Sequence, residues 1–238
     1  MNYNFDHFVS EAEKFDVILS IRQLEQFETY YEMLMEKNEV MNLTAITEFD
    51  EVVEKHFLDS IALAQAVQLN RELRVMDMGT GAGFPGVPLK IVFPELFITM
   101  SDSLNKRILF LQEVIDALEL KGIEAIHGRA EDLAKKKEYR EEYDLAVSRA
   151  VAHLSTLSEY CLPFVRVGGK FISYKSKECD LEAEAARSAI SILGGKISDI
   201  QKFRLGELQR AFVIIDKTKS TAKKYPRKAG LPSKEPLI

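Results

Sequence analysis

Apolar residues recur every three or four positions early in the chain, at Ile21, Leu24, Phe27, Tyr31 and Leu34, the spacing of one buried helix face. Ser20 and Gln23 stand three apart at the head of that run as a capping box, so residues 5–67 predict an N-terminal helical extension. It breaks at NEVMNLTAIT and resumes in EFDEVVEKHFLDSIALAQAV, with Thr47 expected at the N-cap and Asp50 at N3. From Leu73 onward the period changes to short apolar runs at 73–78, 96–101, 123–127, 144–148 and 170–174, which predict strands. Amphipathic helices alternate with them, such as LNKRILFLQEVIDALEL, where Leu104, Ile108, Leu111, Ile115 and Leu118 share a face. That alternation predicts a parallel sheet covered on both sides. A helix at 178–193 ends at Gly194 and Gly195 and leads to two more strand-like runs, KISDIQKF and RAFVIIDK. The linker between them, RLGELQ, is too short for a crossover helix. The last two strands must therefore pair antiparallel or lie apart.

Composition narrows the class without changing this outline. The chain has 238 residues, 46% hydrophobic and 29% charged, enough to bury roughly 70% of its unfolded surface. The apolar runs fall short of a membrane span, and the N-terminus shows no secretory pattern, so a cytoplasmic protein without a membrane partner is expected. Only Cys161 and Cys179 are present, with no CxxC pair and no histidine cluster, so neither a disulfide framework nor a metal site is expected. The net charge is −5, yet residues 217–234 hold seven basic residues and no acid. This divides the expected organisation into an extension (1–70), an α/β domain (71–218) and a basic tail (219–238).

Candidate chemistry concentrates in VMDMGTGAGFPGVPL, residues 75–89. Glycines at 79, 81, 83 and 86 follow the first strand and precede a helix, which implies positive φ or close backbone approach to a ligand. A tight strand-to-helix turn with no ligand is the plain alternative. A triphosphate loop would need Lys where Val87 stands. A dinucleotide fingerprint fits Gly81, Gly83 and Gly86, with Asp102 near the distance expected for a ribose-binding acid. The pattern acid-x-Gly-x-Gly-x-Gly fits Asp77, Gly79, Gly81 and Gly83, the glycine loop of methyltransferases that use S-adenosylmethionine (SAM). Five alternating strands followed by a closely linked pair favour the second: a class I SAM-dependent methyltransferase with a seven-stranded Rossmann-like sheet, mostly parallel with one antiparallel strand. SAM carries a sulfonium cation and no pyrophosphate, so its site needs close backbone approach and carboxylates. Asp77, Asp102 and Glu131 or Asp132 stand at the ends of strands one to three, the edge where open α/β sheets bind ligands.

The segments MNLTAIT, HFLDS, DMGTGAGFPGVPL, DSLNKR, GRAED, SRAVA and YPRKAGLPSKEPL occur in that order from about residue 20 to the end. Together they resemble the bacterial small-subunit (16S) rRNA guanine-N7 methyltransferases, the RsmG or GidB family. The resemblance implies methyl transfer from SAM to N7 of a guanine in a small-subunit rRNA loop, on naked rRNA or an assembly intermediate. On the cofactor side, Gly79 and Gly81 would admit the methionine part beside Asp77, with Phe84 packed against it or simply in the core. Asp102 would take the ribose hydroxyls, with Ser103 beside it, unless the pair only caps the next helix. Ala130 and Glu131 would read adenine, unless Glu131 is only a helix-start acid. Arg149 suits either the cofactor carboxylate or an RNA phosphate.

On the substrate side stand Asn42, His56, Asp59 and Lys175, for the first three of which capping and solvated faces compete equally, and Arg227 and Lys228 of the tail. The tail is expected to lie extended along phosphates and to leave the cofactor alone, against the alternative of a solubilising appendage. The end of the fourth strand lacks the Asn-Pro-Pro-aromatic motif for exocyclic amines and the Pro-Cys nucleophile for pyrimidine carbon, which suits a ring nitrogen. N7 carries a free lone pair and no proton, so no general base is expected and alignment carries catalysis, a term of about 7–11 kcal/mol. An NAD-type oxidoreductase and an RNA-binding module without chemistry are the competing functions.

Overall fold

The computed structural model describes residues 2–149 and 152–238; Ala150 and Val151 of the SRAVA segment lie outside them. Strands β1 (Arg74–Met78), β2 (Phe97–Asp102), β3 (Ile123–His127), β4 (Tyr143–Arg149), β5 (Val165–Ser176), β6 (Gly195–Leu205) and β7 (Leu208–Lys217) form one sheet in the order β3-β2-β1-β4-β5-β7-β6. All neighbours up to β5 are parallel, and β7 runs antiparallel to both β5 and β6. The short linker thus becomes a hairpin, with Leu205 paired to Leu208 and Gly206 at positive φ in the turn. β5 starts five residues ahead of its apolar run, because Val165 pairs with Tyr143 beyond a break in register.

Alternating side chains sort the core into two faces. Val75, Ile98, Met100, Leu145, Val147 and Ile172 pack with helices α1 (Asp6–Glu13), α2 (Ile21–Met41), α5 (Gly86–Val92) and α6 (Asn105–Ala117). Met76, Ala146, Phe171 and Val213 pack with α7 (Ala130–Leu133), α8 (Leu154–Cys161) and α9 (Asp180–Ile192). The N-terminal helices have no core of their own: Phe8, Phe27 and Phe57 belong to the cluster that includes the first face.

The Ser20–Gln23 capping box forms as the sequence requires. Thr47 does not cap the next helix. α3 (Phe49–Val52) begins after Glu48 with no side-chain cap, and the Thr47 carbonyl instead accepts from Tyr31 Oη at 2.9 Å. The helical stretch continues through a π-helical segment (Val53–Leu58), α4 (Asp59–Ile61) and a 3₁₀ turn (Ala62–Gln65). Such π segments frequently mark functional sites.

The basic tail crosses the second face and is not a free extended segment. Arg140 donates to the carbonyls of Thr221, Ala222 and Tyr225. Arg227 pairs through two nitrogens with Glu159, whose buried carboxylate needs a cation beside it. Lys217 is interior as well, donating to the Leu162 carbonyl and Thr221 Oγ1. Two of the seven cations in residues 217–234 are therefore committed within the protein. The tail ends in a short helix, α10 (Leu231–Lys234). Among the described residues, no helix is long and apolar enough to cross a membrane.

Candidate active site

Three adjoining cavities run along the C-terminal edge of the parallel strands. The first, about 290 Å³, lies between the ends of β2 and β3 and is lined by Gly79, Asp102, Ser103, Gly128, Ala130, Glu131, Tyr160 and Gly230. It shares Gly79, Asp102 and Ser103 with a second, about 420 Å³, lined also by Leu43, Thr44, His56, Gly81, Phe84, Arg107 and Arg149. His56 and Arg149 join that to a third, about 380 Å³, with Asp59, Tyr174, Lys175, Phe203, Arg210 and Phe212. A larger cavity, about 680 Å³, opens at the opposite edge around Arg74, Phe97 and Tyr143. Ligands of open α/β sheets do not bind at that edge.

The glycine loop is organised by Asp77. Its Oδ2 accepts from Thr80 Oγ1 at 2.6 Å and from the Gly86 amide at 2.9 Å, tying the two ends of the loop together. Its Oδ1 is buried without a hydrogen-bond partner, a costly condition that a bound cation relieves. The glycines divide into two kinds. A Cβ on Gly83 would meet Tyr30, Leu111 and Val87 within 2.8 Å, and one on Gly86 would meet Asp77 and Met100 at similar range. These two serve close packing. Gly81, at φ +62°, has nothing within 4 Å of the same position and faces the second cavity. A dinucleotide fingerprint needs open space for pyrophosphate at its second glycine, here Gly83, and side chains fill it. The open glycine is the one that the acid-x-Gly-x-Gly-x-Gly pattern assigns to close ligand approach.

Asp102 ends β2 with Oδ2 accepting from the Gly81 amide (3.1 Å) and Arg107 (3.0 Å), and Oδ1 from the Leu104 amide (2.9 Å). The start of α6 has no side-chain cap, so Ser103 lacks the capping role expected of it; its carbonyl accepts from His127 Nε2 at 3.1 Å. In the first cavity, Glu131 Oε1 accepts from the Gly230 amide at 2.9 Å. The tail therefore forms part of this wall, although its composition predicts a segment remote from the cofactor.

Between the second and third cavities, Phe84 stacks on His56 at 4.5 Å, and the Arg149 guanidinium lies 5.0 Å from the centroid of the same Phe84 ring. Burial foremost, and then the Arg149 charge, push His56 down to about 3, so the ring is neutral at physiological pH. It hydrogen-bonds Thr44 Oγ1 through Nε2 at 2.9 Å and so fastens the MNLTAIT loop. Asp59 lies between two arginines, Oδ2 2.9 Å from Arg149 and Oδ1 2.9 Å from Arg210. Lys175 reaches Glu182 at 2.7 Å and the Ala152 carbonyl at 3.1 Å. Asn42 is the left-handed C-cap of α2, exposed and outside all three cavities. Arg227 is anchored on Glu159, and Lys228 is exposed.

Sequence reasoning passes over Arg210, Tyr160, Arg107 and Gly230. Arg107 stands in DSLNKR and Gly230 in the tail segment, so both fall within quoted motifs. Arg210 and Tyr160 sit in an ordinary strand and helix with no local signal.

The model of the family rRNA small subunit methyltransferase G (GidB) matches residues 23–213. Ribosomal RNA small subunit methyltransferase G of Lachnoclostridium phytofermentans is 51% identical over 97% of this chain and 96% of its own length. Its counterpart in Staphylococcus carnosus is 49% identical, covering 97% of each chain. Among solved structures, M. jannaschii TYW2 in complex with AdoMet superposes with a TM-score of 0.55 at 14% identity, over 73% of this chain and 79% of that one. That likeness shows the fold alone. With a family model spanning most of its length and full-length relatives near half identity, the chain belongs to the rRNA small subunit methyltransferase G family.

Proposed function

We propose that this protein transfers the methyl group of SAM to N7 of a guanine in a loop of small-subunit (16S) rRNA. The observation that carries the cofactor half is the pairing of Gly81, open to the second cavity, with the unpartnered buried Oδ1 of Asp77. Asp77, Gly79 and Gly81 hold the methionine part beside Phe84, Asp102 with its neighbour Ser103 receives the ribose hydroxyls, and Ala130 and Glu131 read the adenine. When bound, SAM supplies an electrophilic methyl on a cationic sulfur, which a lone pair takes without loss of a proton. The chain's own contribution is then alignment. His56 stays neutral and Arg149 is held by Asp59 and the Lys55 carbonyl, so neither is poised to move a proton. Arg149, positioned between the second and third cavities, is placed to meet either the cofactor carboxylate or an RNA phosphate.

The third cavity, with Phe203 and Phe212 beside Asp59, Arg210 and Lys175, takes the base. In A-form RNA the major groove holding N7 is too deep and narrow for side chains, so the target guanine is unpaired or extruded. Exposed Lys228 and the neighbouring tail lysines suit the flanking phosphates, whereas Arg227 acts there through its anchor on Glu159. An rRNA substrate, naked or partly assembled, places the work in the cytoplasm.

The test is chemical. RNA methylated by the protein is expected to break at the modified guanine after borohydride and aniline, a cleavage specific for 7-methylguanine. Methylated RNA that resists this treatment shows that another atom is the acceptor. RNA binding without any methyl transfer leaves a binding module only.

Asp77 gives a pH dependence. Burial pushes its carboxyl up to about 6 from the ordinary 3.8, against the pull of Thr80 and Gly86. A folded-state value raised in this way means that the charged form costs stability, a cost absent at low pH and fully present above 6. A cation against the carboxylate offsets the cost, so SAM affinity is expected to rise about tenfold between pH 5 and 7.5. Asp77→Asn should flatten that slope. Calorimetry showing a pH-independent affinity in the unaltered protein overturns this assignment.

A further inference from the structure

We infer that the C-terminal strap, residues 221–235, sets the selectivity of the cofactor site for an adenine base; this rests on the assignment of the first cavity to the adenosine end of SAM. Glu131 lines that cavity at 4% exposure, its Oε1 held by the Gly230 amide at 2.9 Å. Among the described residues, Oε2 accepts no hydrogen bond. A carboxylate pinned through one oxygen presents the other in a fixed direction, where an unpinned one offers either. The exocyclic amine of adenine donates to such an oxygen. Hypoxanthine carries a carbonyl at the same position, and two acceptors facing one another repel.

The pinning depends on the strap. Gly230 directs its amide at Glu131 from φ +81°, a conformation in which a side chain is strained, and no atom lies within 4 Å of where its Cβ would stand. Two contacts hold the strap against α8, and one within it stiffens the turn at Gly230. Thr156 Oγ1 donates to the Pro232 carbonyl at 3.0 Å. Within the strap, Ser233 Oγ donates to the Gly230 carbonyl at 3.1 Å, beside Tyr160 in the cavity wall. Arg227 is fixed on Glu159 at 2.7 Å. None of these contacts touches the glycine loop or Asp102, so the strap bears on the cofactor at the adenine end alone, through Glu131 and the Gly230 wall beside it.

The experiment measures binding of S-adenosylhomocysteine and of its hypoxanthine counterpart, S-inosylhomocysteine, by calorimetry on full-length protein. The intact protein is expected to prefer the adenine ligand by on the order of tenfold or more, the contribution of one hydrogen bond to a charged group. Thr156→Val with Ser233→Ala loosens the strap and is expected to bring that ratio close to one while leaving affinity for the inosine ligand unchanged. A merely structural effect lowers both affinities equally, and that result overturns the inference. Glu131→Gln, which turns a donor toward the base, is expected to shift preference to the inosine ligand. If Glu131→Gln and Asp102→Asn leave both affinities untouched, the cavity assignment itself has failed. If they act and the strap variant keeps the full preference, only the strap inference falls.

Discussion

Gly81→Val is expected to lower SAM affinity by at least two orders of magnitude in a protein that still folds. The added side chain would enter the open space at the second cavity, where nothing now lies within 4 Å of the Cβ position. No packed neighbour is displaced, so the cost to stability is that of a β-branched residue at φ +62°, about 1–3 kcal/mol. For a chain of this size that lowers Tm by roughly 2–12 °C. The contrast is Gly83→Ala, whose methyl meets Tyr30, Leu111 and Val87; it should damage the fold and the affinity together. Calorimetric titration with SAM beside a thermal melt separates the two. A folded Gly81→Val variant with unchanged SAM affinity contradicts the placement of the cofactor.

Asp59→Ala is the second large effect, and it falls on the other half of the reaction. The carboxylate neutralises Arg149 and Arg210 at 2.9 Å each and is only 5% exposed. Removing it leaves two guanidiniums facing one another, a loss near the lower end of the 3–5 kcal/mol typical of a broken buried pair because Arg210 remains partly solvated, so about 3 kcal/mol. The expected Tm decrease is roughly 6–12 °C. Methyl transfer in a single turnover at saturating SAM should fall by about 10²-fold, the cost of misplacing reacting groups by an ångström. Asp59→Ala combined with Arg210→Leu should recover much of the stability and little of the rate. Full recovery of rate in the double variant would reduce Asp59 to a structural role.

The strands from Arg74 to Arg149 are legible to within a residue at each end: β1, β2 and β4, buried on both faces, read as continuous apolar runs between turn signals, and the edge strand β3 is bounded by Gly122 and Gly128. β5 is legible only from its apolar half: residues 165–169, VRVGG, have three exposed positions and two glycines, and what extends the strand is its partner Tyr143, distant in sequence. Capping is legible where both partners are local, as at Ser20 and Gln23. It fails at Thr47, whose carbonyl the distant Tyr31 takes, and at Ser103, where the preceding Asp102 takes the Leu104 amide in its place. The cofactor edge can be read from the glycine spacing and the strand-end acids. The competition between its two glycine registers is resolved only by packing, since nothing local tells Gly83 that Tyr30, more than fifty residues earlier, occupies its Cβ space. The tail misleads most. Seven cations without an acid suggest an arm reaching outward, but Glu159 and Glu141, on other elements, draw Arg227 and Lys217 inward.

Aromatic rings link the extension to the site in a continuous series: Phe8 on Phe27 at 4.8 Å, Phe27 on Phe57 at 4.8 Å, Phe57 beside Phe84 at 6.2 Å, and Phe84 on His56. Because α2 has no separate core, it cannot detach in a local opening without unseating Phe84 and the loop it anchors. Partial unfolding that frees the N-terminal helices is then the same event as losing the loop proposed to hold the methionine part of SAM. Whatever free energy the cofactor contributes to the loop is therefore also protection of helices that never touch it, with respect to proteolysis and amide exchange alike.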